Sequence, residues 1–363
     1  MTDEAVATST RRTRARTRSH AYARTGPTAG QAARRFTALV LGSLILLVVA
    51  GTGGLAVGSH SVPLDVVVDA LTGYDRSNTE HLIVVSSRLP RTVLGVLVGA
   101  ALGLSGALMQ AVTRNPLAEP GLLGVNAGAA FAVVIGIAHL GVVTIAGYLP
   151  LALLGAAIAA VGVYLLGSAH RSKATPVRMA LSGAAIAIVV TAMTRSILLS
   201  NERAFNDFRF WAVGSLQGRS FDIILTVLPL VGIGILLAVV LGPALNAVAL
   251  GEQTSRALGA RPALIRAGAA VAVVLLAGAA TAAAGPIGFV GLAAPHLVRS
   301  IVGSDQRLLL PATLVVAPAF LVTADVLGRW AAAPAELQTG ISAAILGGPV
   351  FVALVRSRRM AAL

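Results

Sequence analysis

The chain contains no cysteine, which excludes disulfide bonds, cysteine-ligated zinc and iron–sulfur clusters outright. It has a single lysine, Lys173, preceded by Ser172 where a P-loop carries glycine, so it cannot cradle a nucleotide's phosphates in the Walker manner. Six histidines, His20, His60, His81, His139, His170 and His296, are scattered along the sequence without a His-Glu-x-x-His helix. Metalloenzyme chemistry therefore has no evident ligand set. Charge is scarce too, at 12% of residues with only 14 acids.

Apolar residues fill the space. They make up 56% of 363 residues before any glycine is counted, against about 45–50% with glycine included in soluble domains. Phe36 to Val57 and Ile223 to Leu241 hold no Lys, Arg or Glu, and each run is long enough to cross a bilayer. Allowing Gly, Ala and Pro inside such runs predicts about ten membrane segments. They lie near 36–58, 88–112, 122–142, 147–168, 177–200, 222–242, 264–284, 290–302, 308–330 and 339–356. The eighth is too short to span unaided and is expected to pair with broken helix or loop. The first is longer than a signal-peptide core and more segments follow it, so it reads as a retained helix. The expected fold is an all-α polytopic transmembrane bundle with both termini on one side.

The net charge of +14 takes its meaning from its location. Residues 1–35, with Arg11, Arg12, Arg14, Arg16, Arg18, Arg24, Arg34 and Arg35, lack apolar periodicity and read as a disordered arm. Attraction to anionic lipid and control of topology explain it more simply than nucleic-acid binding. With the N-terminus inside, the tails and the loops holding Arg114, Arg171, Lys173, Arg178, Arg256, Arg261, Arg266, Arg299 and Arg307 collect about 20 of the 28 basic residues, as the positive-inside rule requires. The outward connections near 59–87 and 201–221 hold Asp65, Asp69, Asp75, Glu80, Glu202 and Asp207. Acids are nearly absent from the apolar runs. Asp325 stands one helical turn from Arg329, which suggests a structural ion pair before proton coupling. Gly95, Gly99 and Gly103, followed by Gly106, make a small-residue stripe suited to tight helix packing.

Four stretches combine Gly, Pro and charge where packing alone does not ask for them. They are Arg88-Leu89-Pro90-Arg91, the run from Arg114-Asn115-Pro116-Leu117 to Gly128, the loop Leu250-Gly251-Glu252 to Arg256-Ala257-Leu258-Gly259, and the run from Gly285-Pro286-Ile287-Gly288 through Gly291 and Pro295-His296 to Arg299. With Pro334-Ala335-Glu336 and Gly347-Gly348-Pro349 near the end, they resemble the iron-siderophore and vitamin B12 permease family of type II ABC importers. The resemblance runs from about residue 36 to the C-terminus.

That resemblance implies a permease fold in which two such subunits form the pore, above two cytoplasmic ATPase subunits and below an extracytoplasmic binding protein. It implies a bacterial cell membrane, cytoplasmic termini, no cofactor on this chain, and ATP and Mg used by the partner ATPase. The cargo it implies is a ferric siderophore, or alternatively cobalamin or haem. An ion-coupled carrier and an intramembrane enzyme are readings of a different class. Arg88, Arg91 and Arg329 match positions where family arginines meet carboxylates of the binding protein. Guanidinium forks suit that pairing, although arginines also anchor helix ends at headgroups. The loop 246–262, with Leu250, Gly251, Glu252, Arg256, Leu258 and Gly259, matches the family's pair of short helices that fit the ATPase. Asn115 and Leu117 match the inner gate, and Thr175, Pro176 and Val177 a second gating loop, where the vitamin B12 permease has small hydroxyl residues instead of Pro176 and Val177. The stretch from Gly285 to Gly291, with Pro286 and Gly288, is expected to be irregular backbone at membrane depth; Pro295 belongs to the same structural motif, and His296 reads as a packed polar residue before an iron ligand.

Overall fold

The computed structural model describes residues 29–142, 144–168 and 176–356. Ten apolar helices build the bundle: α1 (Ala29–Ala56), α4 (Leu89–Thr113), α5 (Val125–Leu140), α6 (Ile145–Ser168), α7 (Pro176–Ser200), α9 (Phe221–Ala249), α11 (Pro262–Ala284), α12 (Val290–Val302), α13 (Gln306–Ala332) and α14 (Thr339–Arg356). Four short ones lie in the connections: α2 (Leu64–Thr72), α3 (Thr79–Ile83), α8 (Glu202–Ala212) and α10 (Glu252–Ala257). Among the described residues there is no strand.

The ten segments expected from the sequence are all present among the described residues, but two of them, not one, are too short to cross a membrane alone. Seven helical stretches are long and apolar enough, and α14, with 18 residues, lies at the lower end of the spanning range, while α5 and α12 have 16 and 13. Chain chemistry explains both. Helix α5 starts only at Val125 because Pro116, Pro120 and a 3₁₀ turn at Pro120–Leu123 occupy the preceding stretch, closed by Gly124 at φ 68°. Helix α12 starts at Val290 because residues 285–289 are non-helical, with Gly285 at φ 75° and ψ 178°, a conformation open essentially to glycine alone.

In the other direction, α3 runs through a π-turn at Val84–Arg88 into α4, giving one 35-residue rod from Thr79 to Thr113. The wide turn sits where Pro90 lacks an N–H and its ring crowds the Ser86 carbonyl.

Two short helices were hidden in the acid-rich connections. In α8 the buried residues Ala204, Phe208 and Trp211 fall on one helical stripe, and the Asn201 side chain caps the start by accepting from the Ala204 N–H. In α2, Val67 and Ala70 face inward. The arm's expected limit also moves: residues 29–35 are the first turns of α1, since Ala and Gln at 29–33 are acceptable helix formers that extend the apolar run. The rest of the expected arm lies outside the described residues.

Helix α4 is the axis of the bundle. It packs against α13, α11, α12 and α9, and its glycine stripe makes those approaches possible. A Cβ on Gly99 would lie 2.7 Å from the Pro318 Cα of α13, and one on Gly106 would collide with the Gly291 carbonyl of α12. On α1, by contrast, Gly42 faces open space. Gly106→Ala is therefore expected to cost about 1–3 kcal/mol through forced backbone displacement, whereas Gly42→Ala is neutral or stabilising by up to about 1 kcal/mol. Thermal unfolding of both variants in lipid nanodiscs checks the contrast; equal melting temperatures would refute it.

Candidate functional site

Polar side chains gather at the two ends of the bundle. At one end, the first turn of α4, the last turns of α13 and α1, and the start of α14 converge on Asp325, which is 3% exposed. Arg91 grips its carboxylate with both prongs, Nε to Oδ2 at 3.0 Å and Nη2 to Oδ1 at 2.9 Å. Arg329 approaches Oδ2 at 3.2 Å, and the Thr339 hydroxyl donates to Oδ1 at 2.6 Å. Glu336 takes the remaining prong of Arg91, Nη1, at 2.5 Å.

Arg88, Arg91 and Arg329 were expected on a docking surface, but they are 5%, 5% and 2% exposed. Their guanidinium groups are already engaged inside the chain. Helix α1 ends at Ala56 and leaves its last carbonyls without intrahelical donors. Arg88 donates to Leu55, Ala56 and His60 carbonyls, and Arg329 to those of Gly54 and Val57. Positive charge at a helix C-terminus is favourable as well. The arginines turn inward because α1 ends beside them, and as placed none offers a free fork to an external carboxylate. A fourth buried guanidinium at this end, Arg219 before α9, sits near Tyr148, and burial holds its pKa below arginine's usual value.

At the opposite end, α4 closes on Arg114, whose backbone is left-handed at φ 51° and whose side chain donates to the Val248 carbonyl at the end of α9. Asn115 and Leu117 follow in a tight turn: the Asn115 Oδ1 accepts from the Leu117 N–H at 2.9 Å, and both side chains are exposed. Asn246, expected at the start of the coupling loop, belongs to α9. Its side chain donates to Asp305 at 2.6 Å and accepts from the Gln306 N–H at 2.9 Å, tying α9 to the capped start of α13.

The expected pair of short helices is a single one, α10. Gly251 at φ 105° opens it, and Gly259 at φ 78° ends the turn that follows; the 6 residues of the helix itself make fewer than two turns. Leu250 and Leu258 flank it at 62% and 64% exposure, and Glu252 pairs with Arg256 at 2.6 Å. Behind it lies a cavity of about 340 Å³ lined by Met109, Thr113, Tyr164, Met179 and Arg266 among others.

Between the ends, Gly285 touches the Trp211 carbonyl, and the N–H of Ser215 donates to the Ala284 carbonyl at 2.7 Å. Gly288 faces open space, Gly291 meets α4, and Pro295 and His296 are buried in α12. Gly347 of α14 makes room for Phe289, whose own backbone is left-handed. Thr175 lies outside the described residues, and Pro176 and Val177 form the first turn of α7. Among the described residues no three His, Asp or Glu side chains group as metal ligands.

Ten apolar helices joined by short connections make a multi-pass α-helical membrane protein. The chain belongs to the FecCD transport family, whose profile matches residues 44–357. It is 44% identical to the "Ferric enterobactin transport system permease protein FepD" of Escherichia coli (strain K12), over 88% of this chain and 95% of that one. It is 40% identical to the "Probable siderophore transport system permease protein YfiZ" of Bacillus subtilis (strain 168), over 80% and 87%. Among solved structures, "An inward-facing conformation of a putative metal-chelate type ABC transporter" matches with a TM-score of 0.78 at 26% identity, covering 88% of this chain and 99% of its own. The family is one of transport permeases.

The two ends should respond differently to loss of charge. Asp325→Asn removes the carboxylate shared by Arg91 and Arg329, leaving Arg91 with Glu336 alone and Arg329 with no ion-pair partner among the described residues, and is expected to cost about 3–5 kcal/mol. Glu252→Gln breaks an exposed pair worth under about 1 kcal/mol. Chemical denaturation of the purified variants measures both; a small Asp325→Asn effect would mean that the cluster is not the buried network described.

Proposed function

We propose that this chain is the membrane-spanning permease of a binding-protein-dependent ABC importer that carries a ferric siderophore into a bacterial cell. Two such subunits, identical or related, form the path across the cell membrane. Two cytoplasmic ATPase subunits hydrolyse ATP with Mg, and an extracytoplasmic binding protein delivers the cargo. Both termini and the Arg114 end face the cytoplasm, which is the orientation that the positive-inside rule favours.

The observation that carries this reading is α10 with its neighbours: two exposed leucines beside a charged pair, on a short helix bounded by glycines. Such an apolar knob edged by charge is what a partner cleft recognises. In this reading, ATPase closure pushes α10, and α9 and α11 transmit the displacement, with Asn246 passing it to the base of α13 through Asp305. The helices then exchange outward- and inward-open arrangements, while Asn115 and Leu117 border the inner gate and α7 begins at the second, with Thr175 next to it. The binding protein docks on the Arg91 end, where Arg88, Arg91 and Arg329 hold the landing face in shape from within. An ion-coupled carrier is disfavoured because Asp325 is held by Arg91, Arg329 and Thr339 instead of being offered to an ion.

Cobalamin or haem would suit the same architecture, but the names of the relatives favour an iron complex. Leu250→Asp and Leu258→Asp, both on exposed side chains, are expected to leave the fold intact and to lower ATP-driven uptake of radioiron-labelled siderophore by about tenfold or more. Uptake by vesicles carrying the binding protein and ATPase checks this. Undiminished uptake would sink the ATPase-docking role of α10, and uptake of labelled cobalamin with no uptake of iron would reassign the cargo.

A further inference from the structure

Helix α12 carries a cation that nothing described around it neutralises. Arg299 is 2% exposed. Its Nη1 donates to the Gln110 Oε1 at 2.8 Å, and the Gln110 amide nitrogen donates in turn to the Gly291 carbonyl at 3.3 Å, so α4 fixes the guanidinium from one side. The other edge is different. Nε and Nη2, the pair of donors that grips a two-atom acceptor, are both buried and meet no hydrogen-bond partner among the described residues. His296, 3% exposed and one turn earlier on the same helix, has a buried Nδ1 in the same condition. None of the ion pairs among the described residues includes Arg299.

A buried guanidinium without counter-charge is among the most unfavourable arrangements a protein interior can hold. Water would satisfy the hydrogen bonds but leave the charge. A small anion satisfies both.

We propose that Arg299 and His296 form a binding site for one small anion, a halide or a small oxyanion such as nitrate or formate. The Nε–Nη2 edge supplies a bidentate grip, His296 in the tautomer protonated on Nδ1 adds a third donor, and Gln110 holds the guanidinium in register. The site lies inside the packing of α12 on α4, just below the Gly106–Gly291 contact. Its occupant therefore acts on helix packing and is distinct from cargo.

The test uses the full chain in lipid nanodiscs, with melting temperature read at fixed ionic strength in chloride, bromide, nitrate or formate against gluconate, which is too large to enter. A saturable rise with a small anion is expected, and the order of the anions distinguishes halide from oxyanion. Arg299→Gln should abolish the saturable response, and His296→Ala should weaken apparent affinity by about tenfold. Exposed arginines contribute only a non-saturating salt effect that both variants keep. Identical wild-type melting in all salts would overturn the site, as would a saturable response that survives Arg299→Gln. Should Arg299→Gln fail to fold, anomalous diffraction from wild-type crystals grown in bromide decides. One peak within hydrogen-bond reach of the Arg299 edge supports the site, and ordered water there without a peak refutes it.

Discussion

Asp325 is a carboxylate almost sealed from solvent, and four chain segments depend on it. Arg91 arrives from α4, Arg329 from its own helix and Thr339 from α14, while Arg329 also reaches the terminal carbonyls of α1. Removing these charges from water is costly, and their mutual attraction roughly offsets that cost when geometry is good. The network's contribution is thus one of position: it fixes which helix ends meet and in what rotation. Thr339 extends it, because its hydroxyl oxygen also accepts from the Leu216 N–H at 3.3 Å and so draws in the loop before α9.

Helix α13 carries that order to the other end. Its 27 residues make a rod of about 40 Å, with Asp325 and Arg329 near one tip and the Asp305 cap, tied to Asn246, at the other. Along its length it is pressed onto α4 through glycines that admit no Cβ, such as Gly99 against Pro318. Backbone contacts this close leave little room for sliding. A displacement applied at the α9–α13 junction is therefore carried along the rod instead of being absorbed by it.

Much of this was legible in the sequence. Apolar runs longer than any soluble core requires located all ten segments, and the Gly-Pro stretches marked where helices break. Lengths were less legible, because Val125 to Leu140 and Val290 to Val302 continue the apolar composition of the non-helical residues before them; only backbone angles at Gly124 and Gly285 show where the helices start. Helices α2 and α8 were missed because a short stripe such as Ala204, Phe208 and Trp211 is diluted by Glu202, Arg203, Asp207 and Arg209. Composition also says nothing of which way an arginine points. Arg88, Arg91 and Arg329 sit at the expected helix ends, yet they turn inward to carbonyls and carboxylates that belong to distant parts of the chain. The one short pairing visible in the sequence, Asp325 with Arg329, is present but incomplete, since the bidentate partner of Asp325 is Arg91, 234 residues away.

The unequal bonding of the two ends constrains how such a bundle can move. At the Arg91 end, separating α1, α4, α13 and α14 would leave buried charges unpaired, so these four are held as one body. At the Arg114 end the water-facing fastenings are an arginine on a carbonyl and an amide on a carboxylate, cheaper to rearrange in water, and the buried Arg299–Gln110 bond joins only α12 to α4. Helices α5, α6 and α7 pack chiefly on one another, with Gly128 against Gly155 at their centre, and they join the rest mainly through α11. The α5–α11 side of that join includes the Thr281–Asn126 hydrogen bond of 3.0 Å. Turning the α5–α7 group along α11 against the body that Asp325 holds together leaves every ion pair of Asp325 intact.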